Sequence, residues 1–170
     1  MEVHGRDPSR RETDLGALVI VDCNGNLFDP KHAPIDVYVN AVNCVGVMGK
    51  GIAAEFKRRW PKMAAMYRAA CLVGDVRPGQ PHVWLDRGLV IYNVPTKYDW
   101  RESSSDLSIV SLGIRSLAVC LSQLEPGLRV AVPALGCGEG GLAWNVVRPL
   151  LVSSLSSLDH EVLLFAPFTA

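Results

Sequence analysis

Asn40-Ala-Val-Asn-Cys-Val-Gly-Val-Met-Gly-Lys-Gly51 carries a strand into a glycine-rich turn and out into a helix. Upstream, Ile35-Asp36-Val37-Tyr38-Val39 reads as a buried strand. Downstream, Ile52, Ala53, Phe56 and Trp60 recur at helical spacing, so the glycines fall at a strand-to-helix junction. The first N–H groups of such a helix have no internal acceptor and face whatever occupies the turn, and the helix dipole favours an anion there. Two common phosphate-binding fingerprints do not fit. A Walker A loop needs Ser or Thr after Gly-Lys, and Gly49-Lys50 is followed by Gly51; the glycine order is G-x-x-G-x-G, not the dinucleotide pattern G-x-G-x-x-G.

The same grammar returns further on. Arg129 to Ala134 reads as a strand that enters a second glycine-rich turn, Leu135-Gly-Cys-Gly-Glu-Gly-Gly-Leu142, ahead of a helix with Trp144, Val147, Leu151, Leu155 and Leu158 on one face. Pro149 predicts that this helix begins near Arg148 or bends there. Between the turns, Pro61 opens a helix whose apolar face is expected to hold Met63, Met66, Tyr67 and Ala70. Lys57, Arg58, Arg59, Lys62 and Arg68 occupy the exposed side of this region, readable either as a solvated face or as a nucleic-acid contact. His82 to Asp86 and Leu89 to Val94 read as strands, the second running into a loop from Pro95 to Arg101. Ser103 to Asp106 then caps a long core-facing helix with Leu107, Val110, Ile114, Leu117, Leu121 and Leu124 inward. With first and last strands at Leu18 to Cys23 and Glu161 to Ala166, strands alternate with helices. The fold class is α/β, a sheet covered on both faces.

A chain of 170 residues, 49% hydrophobic and 20% charged, suits one globular domain with a full core. Residues 1–16 are polar and read as a flexible tail, which leaves 17–170 as the domain. A formal net charge of zero argues against bulk electrostatic capture of nucleic acid and leaves room for a local basic patch. The five cysteines are scattered without C-x-x-C, and the four histidines lie at no ligand spacing, so reduced thiols and no metal site are expected. No apolar run approaches the ~20 residues of a membrane helix, and no signal-peptide core is present; a cytoplasmic monomer without membrane contact is expected.

In an open α/β sheet, ligands collect at the carboxyl ends of strands, and two facing N–H-lined turns suit a diphosphate. The residues that build them resemble the ADP-ribose-binding macrodomains: Asn40-Ala-Val-Asn43, the Gly46-to-Gly51 turn and Gly136-Cys-Gly-x-Gly-Gly-Leu142. Val45-Gly-Val-Met-Gly-Lys-Gly-Ile52, Asn93-Val-Pro-Thr-Lys97-x-x-Trp100-Arg101 and Trp144 are most similar to the DarG-type members, which remove ADP-ribose from thymidine in DNA and are related to the terminal ADP-ribose glycohydrolases of acidic protein side chains. The resemblance spans about Val19 to Ala166 and implies a three-layer α/β/α fold with a central mixed sheet.

Position by position, the resemblance implies that Asn43 holds the distal ribose and that the backbone of Gly46, Val47, Met48, Gly49, Lys50 and Gly51 wraps ribose and diphosphate. Gly136, Cys137, Gly138, Gly140 and Gly141 would give amides to the phosphates. Pro95, Thr96 and Phe168 join the ligand-binding set, and Lys97 is the catalytic residue. Gly25-Asn26-Leu27 matches the family's Gly-Asp-Leu/Ile, with Asn26 and Leu27 at the adenine. Asn26 replaces an acid and makes an uncharged, weaker acceptor. Glu139 also departs from the pattern, and reads either as a solvated loop residue or as an auxiliary acid or base.

A lysine partly buried among Tyr98, Trp100 and strand ends can act as a neutral amine nucleophile on the anomeric carbon, with water clearing a Schiff base. The leading expectation is a metal-free, cofactor-free ADP-ribosyl hydrolase, with ADP-ribose as ligand and product. Its substrate would be ADP-ribosylated DNA, protein or both, and a cognate ADP-ribosyltransferase its partner. A non-catalytic ADP-ribose reader and an ADP-ribose 1″-phosphate phosphatase are the alternatives.

Overall fold

The computed structural model describes residues 19–102 and 104–167. The expected tail over 1–16, Ser103 and Phe168 lie outside them. The described residues form strands β1 (Val19–Cys23), β2 (Val37–Asn43), β3 (His82–Asp86), β4 (Leu89–Lys97), β5 (Arg129–Pro133) and β6 (Glu161–Phe165), with helices α1 (Gly51–Arg59), α2 (Pro61–Leu72), α3 (Leu107–Ser122) and α4 (Trp144–Leu155). One six-stranded sheet has the order β1-β6-β5-β2-β4-β3. Every pairing is parallel except the β3–β4 hairpin, whose turn at Arg87-Gly88 places both residues at positive φ.

Period-two alternation distributes the central strands between two cores. Val130 and Val132 of β5 and Val162 and Leu164 of β6 face α3 and α4, which contribute Val110, Ile114, Leu117, Leu121, Val147, Leu151 and Leu155. Ala131, Leu163 and Phe165 face the other way, toward Phe56 of α1 and Met63, Ala64 and Tyr67 of α2. The result is the expected α/β/α sandwich with a mixed sheet.

Several elements depart from the sequence reading. β4 does not end at Val94 but runs on through Lys97. Proline is tolerated there because β3 pairs only as far as Asn93, so Pro95 has no β3 neighbour that needs its missing N–H. α4 starts at Trp144 and continues through Pro149, so the lost hydrogen bond falls on the carbonyl of exposed Asn145. Met66 is 59% exposed; the buried arc of α2 is Met63, Ala64 and Tyr67. Leu107 of α3 is likewise exposed, and Asp106 alone supplies the side-chain cap, accepting from the Ser108 N–H.

Candidate functional site

β5, β2 and β4 are neighbours in the sheet and parallel, so their carboxyl ends lie side by side. The second glycine turn leaves β5, the first leaves β2, and β4 ends on Lys97, which sits opposite Asn43 in the β2–β4 register after an irregularity at Val42/Asn43. Two turns and one lysine are thereby brought to one edge. Farther along the same edge, past β6, β1 leads into Asn26 and Leu27. At about 4.8 Å per strand step, the edge from β1 to β4 spans roughly 19 Å, room for an elongated ligand.

Asn43 builds the first turn from within. Its Oδ1 accepts from the N–H groups of Val45 and Val47, each at 3.2 Å, and its Nδ2 donates to the Val47 carbonyl at 2.7 Å. The Tyr67 hydroxyl donates to the Asn43 carbonyl at 2.9 Å, a brace from α2 that the sequence did not disclose. Gly46 has φ +75°, and a Cβ there would come within 2.9 Å of the Arg68 Cα, so only glycine lets the turn lie against α2. Met48 is buried, so its side chain anchors the turn and only its backbone is offered outward. Val47 is half-buried, while Gly49, Lys50 and Gly51 are exposed. Lys50 caps α1 without a side-chain bond, so the first amides of α1 face outward.

Asn40, which shares the Asn40-Ala-Val-Asn43 motif, lies away from this site. It is fully buried in the sheet, where its Nδ2 donates to Asn93 Oδ1 at 2.9 Å and Asn93 Nδ2 meets Met63 Sδ at 3.3 Å.

The second turn is closed by three of its own bonds: Cys137 N–H to Ala134 O, Gly141 N–H to Gly138 O and Leu142 N–H to Gly136 O. The N–H groups of Gly138, Glu139 and Gly140 have no partner among the described residues. Gly140 is the tight point: a Cβ there would run into the Gly136 carbonyl and the Ser105 hydroxyl. Gly138 is the opposite case, exposed and with nothing near the position of a Cβ. The Cys137 side chain turns inward, its Sγ donating to Leu135 O at 3.6 Å, and burial pushes its thiol up to about 11. Cys137 thus offers neither sulfur nor amide, since its N–H is spent on Ala134 O, and the Gly141 amide, also expected on a phosphate, is spent on Gly138 O.

The sequence offers Ser105 only as part of a helix cap. It is 3% exposed, and its N–H donates to Gly140 O at 2.7 Å, clamping the second turn to the segment after Lys97. Its hydroxyl has no partner among the described residues. Nothing in a run of serines marks which one turns inward.

Lys97 is 8% exposed, and Nζ donates to the carbonyls of Glu102 at 3.3 Å and Glu139 at 3.4 Å. Lys97 Nζ therefore ties the second turn to the 98–102 segment. Glu139 approaches Lys97 through its backbone oxygen. Its side chain reaches toward the first turn, with Cγ 3.5 Å from where a Cβ on Gly51 would stand, so the two turns close on each other there. Thr96 and Pro95 are buried strand residues, the Thr96 hydroxyl donating to Val42 O at 3.4 Å. Beyond Lys97, Tyr98 and Trp100 are each 56% exposed. Arg101 clasps Asp99 with two nitrogens, and these hydrogen bonds hold the Asp99 carboxyl down at about 2.

At the far end, Asn26 is exposed and its Oδ1 accepts from the Phe28 N–H at 2.9 Å, while Leu27 is buried in the α1/α2 core. The Asn26 oxygen that would meet adenine already shapes its own turn. All five cysteines are free.

With a three-layer fold and two amide-lined glycine turns at the carboxyl edge of its sheet, the chain matches the family model Macro domain over residues 39–151, and it belongs to the macro domain family. It is 42% identical over 144 residues to a Mycobacterium tuberculosis protein named DNA ADP-ribosyl glycohydrolase, an alignment that takes in 82% of this chain and 40% of the relative. The chain thus spans about two fifths of the length of the curated relatives it matches. Among solved structures it is similar to the macrodomain of Mycobacterium tuberculosis DarG, with TM-score 0.78, 40% identity, and coverage of 88% of this chain and 98% of that one. Similarity extends to Thermosipho africanus DarTG in complex with ADP-ribose, with TM-score 0.73, 29% identity, and coverage of 79% and 38%.

Proposed function

We propose that this chain is an ADP-ribosyl hydrolase that binds ADP-ribose across its two glycine turns and removes it from thymidine in DNA. The observation that carries the reading is Lys97: an amine brought to the junction of both turns in a chain 40% identical to a DarG macrodomain over nearly the whole of that domain. Modified acidic side chains of proteins are the second substrate class, reached by the same chemistry.

In this reading the open amides of Gly49, Lys50, Gly51, Gly138, Glu139 and Gly140 receive the diphosphate, as fixed dipoles that need no reorganisation. Asn43 sets the shape of the first turn and meets the distal ribose, and Pro95, Thr96, Gly46, Val47, Met48, Gly136, Cys137 and Gly141 form its walls. Asn26 and Leu27 border the adenine. The unprotonated Lys97 amine attacks the anomeric carbon, the bond to thymine breaks, and the base leaves with a proton. Ring opening turns the N-glycoside into a Schiff base; water adds at its carbon and expels the amine, giving ADP-ribose. Glu139, whose side chain reaches toward the first turn and meets Lys97 only through its backbone oxygen, fits the solvated loop residue better than the auxiliary acid or base. No cofactor takes part, a cognate ADP-ribosyltransferase lays the modification down, and the protein works as a cytoplasmic monomer. No helix among the described residues is long and apolar enough to cross a membrane.

A parallel assay tests this: release of ADP-ribose from thymidine-ADP-ribosylated oligonucleotide and glutamyl-ADP-ribosylated protein, and of phosphate from ADP-ribose 1″-phosphate. Binding of ADP-ribose without release from any substrate would make the chain a reader. Phosphate release alone would make it a phosphatase.

A further inference from the structure

The substrate reading leaves one conspicuous feature unused. Helices α1 and α2 carry Lys57, Arg58, Arg59, Lys62 and Arg68 against the single carboxylate of Glu55, in a chain whose formal net charge is zero. Glu55 engages Arg58 at 2.7 Å and Arg59 at 3.9 Å, and Arg59 also lies over the Phe28 ring at 4.3 Å. Lys57, Lys62 and Arg68 have no carboxylate partner among the described residues. Lys57 and Arg68 both line an open cleft of about 330 Å³, together with Pro61, Ala64 and Ala65. The remaining wall is the back of the first glycine turn, Gly46 to Gly49.

That turn is therefore shared. Its Gly46 rests on Arg68, whose Cβ and Cγ would each lie 3.3 Å from a Cβ on that glycine. On the flank toward Lys97, the Cys44 N–H donates to Tyr98 O at 2.9 Å, which fastens the backbone of Tyr98 to the base of the same turn, with exposed Trp100 two residues on. Arg101, by contrast, is neutralised by Asp99. Of the α1 and α2 cations without a carboxylate partner among the described residues, Lys57 and Arg68 line the cleft and Lys62 does not.

We infer that the Lys57–Arg68 cleft is a phosphodiester seat for the single strand that carries the modified base, deepening the DNA-hydrolase reading on which it rests. Exposed aromatics stack only on unpaired bases, and free cations beside them meet the backbone between those bases. The strand runs from the aromatic step at Tyr98 and Trp100, around the outside of the first turn, to Lys57 and Arg68. Its modified base enters at Lys97. A chain with zero net charge thus acquires DNA affinity locally, through the basic face of α1 and α2 beside the ligand turn.

Lys57→Gln/Arg68→Gln keeps both side-chain stems and removes both charges. Fluorescence anisotropy with an unmodified oligothymidylate should show affinity falling roughly tenfold at low salt. Each lost phosphate contact removes about 0.7 from the slope of log affinity against log salt, so the double variant should lose roughly 1.4. With ADP-ribosylated oligonucleotide, KM should rise by a similar factor at unchanged kcat, while ADP-ribose binding by calorimetry and the rate on ADP-ribosylated thymidine nucleoside stay at wild-type levels. Equal oligothymidylate binding by variant and wild type, or no binding by either, overturns the inference. So does a variant impaired on ADP-ribosylated protein but not on oligonucleotide, which would make the face an acidic-peptide seat. A wild type that binds the strand but cleaves nothing refutes the hydrolase reading and leaves the cleft assignment standing on its binding arm.

Discussion

Gly138 and Gly140 lie two residues apart in one turn, yet their substitution should fail in different ways. At Gly140 a methyl group has nowhere to go: the Gly136 carbonyl and the Ser105 hydroxyl occupy the position. Overpacking of this kind costs about 1–3 kcal/mol. For a domain of this size that is a fall in Tm of roughly 2–12 °C, and the turn that should bind ADP-ribose distorts with it. At Gly138 the space is open and φ is not in the left-handed region, so Gly138→Ala should leave Tm unchanged. Gly138→Glu should also fold, but it sets a carboxylate beside the proposed diphosphate. At about 4 Å and an effective dielectric near 20, two like charges repel by about 4 kcal/mol. Even half of that, after the side chain swings away, weakens binding more than tenfold. Thermal melts of both variants, paired with calorimetric titration of ADP-ribose, read the two effects separately. A Gly138→Glu protein with wild-type Tm and wild-type affinity would refute the two-turn site. A Gly140→Ala protein with unchanged Tm would refute the packing argument.

Trp100→Ala should slow cleavage of ADP-ribosylated oligonucleotide by roughly 5- to 150-fold, the range for one lost base stack, with ADP-ribose affinity unchanged. Arg101→Ala should do much less, because its guanidinium is already held by Asp99; single-turnover rates on the same oligonucleotide compare the two. Burial pushes the thiols of Cys44 and Cys137 up to about 11, so both are neutral at pH 7.5 and become thiolates only as pH rises toward that value. Iodoacetamide labelling followed by peptide mass mapping should find both slow in the folded protein at pH 7.5; fast labelling of Cys137 would mean that its side chain faces the cleft.

Much of this site was legible because it is written in residue types that do one thing. Glycines between an apolar strand and an apolar helix admit few other readings, and both turns fall at the junctions expected. What stayed hidden depends on neighbours distant in sequence. The β4 strand reaches Lys97 only because β3 stops short of Pro95, a fact about register that composition does not carry. Asn40 and Asn43 look alike three residues apart, but one is sealed beneath α2 against Asn93 and the other braces the turn. Met66 satisfies the helical period as well as Tyr67 does, and only the placement of α2 on the sheet decides that it faces water at 59% exposure. The basic residues were visible from the start. Their meaning was not, since it comes from Arg68 resting on the turn that holds the ligand.

Lys97 bears the largest claim, and the structure makes its removal a clean experiment. Its Nζ donates to two carbonyls, those of Glu102 and Glu139, which belong to exposed residues that water can reach. Lys97→Ala should therefore fold, with its melt close to wild type. The turns should persist, since Asn43, Tyr67 and the Ser105 clamp hold them independently of the lysine, and ADP-ribose affinity should stay within a few-fold. Turnover should fall at least ~10²-fold on every macromolecular substrate, the lower range for loss of a group that takes part in the chemistry. Lys97→Arg separates nucleophile from charge: a guanidinium stays protonated and cannot form a Schiff base. Under covalent catalysis it should be as inactive as alanine, and borohydride added during wild-type turnover should leave a reduced ADP-ribose adduct on Lys97 by mass spectrometry. Full activity of the alanine variant removes Lys97 from the reaction. An active arginine variant, with no trapped adduct in the wild type, reduces it to a positive charge that stabilises the leaving group.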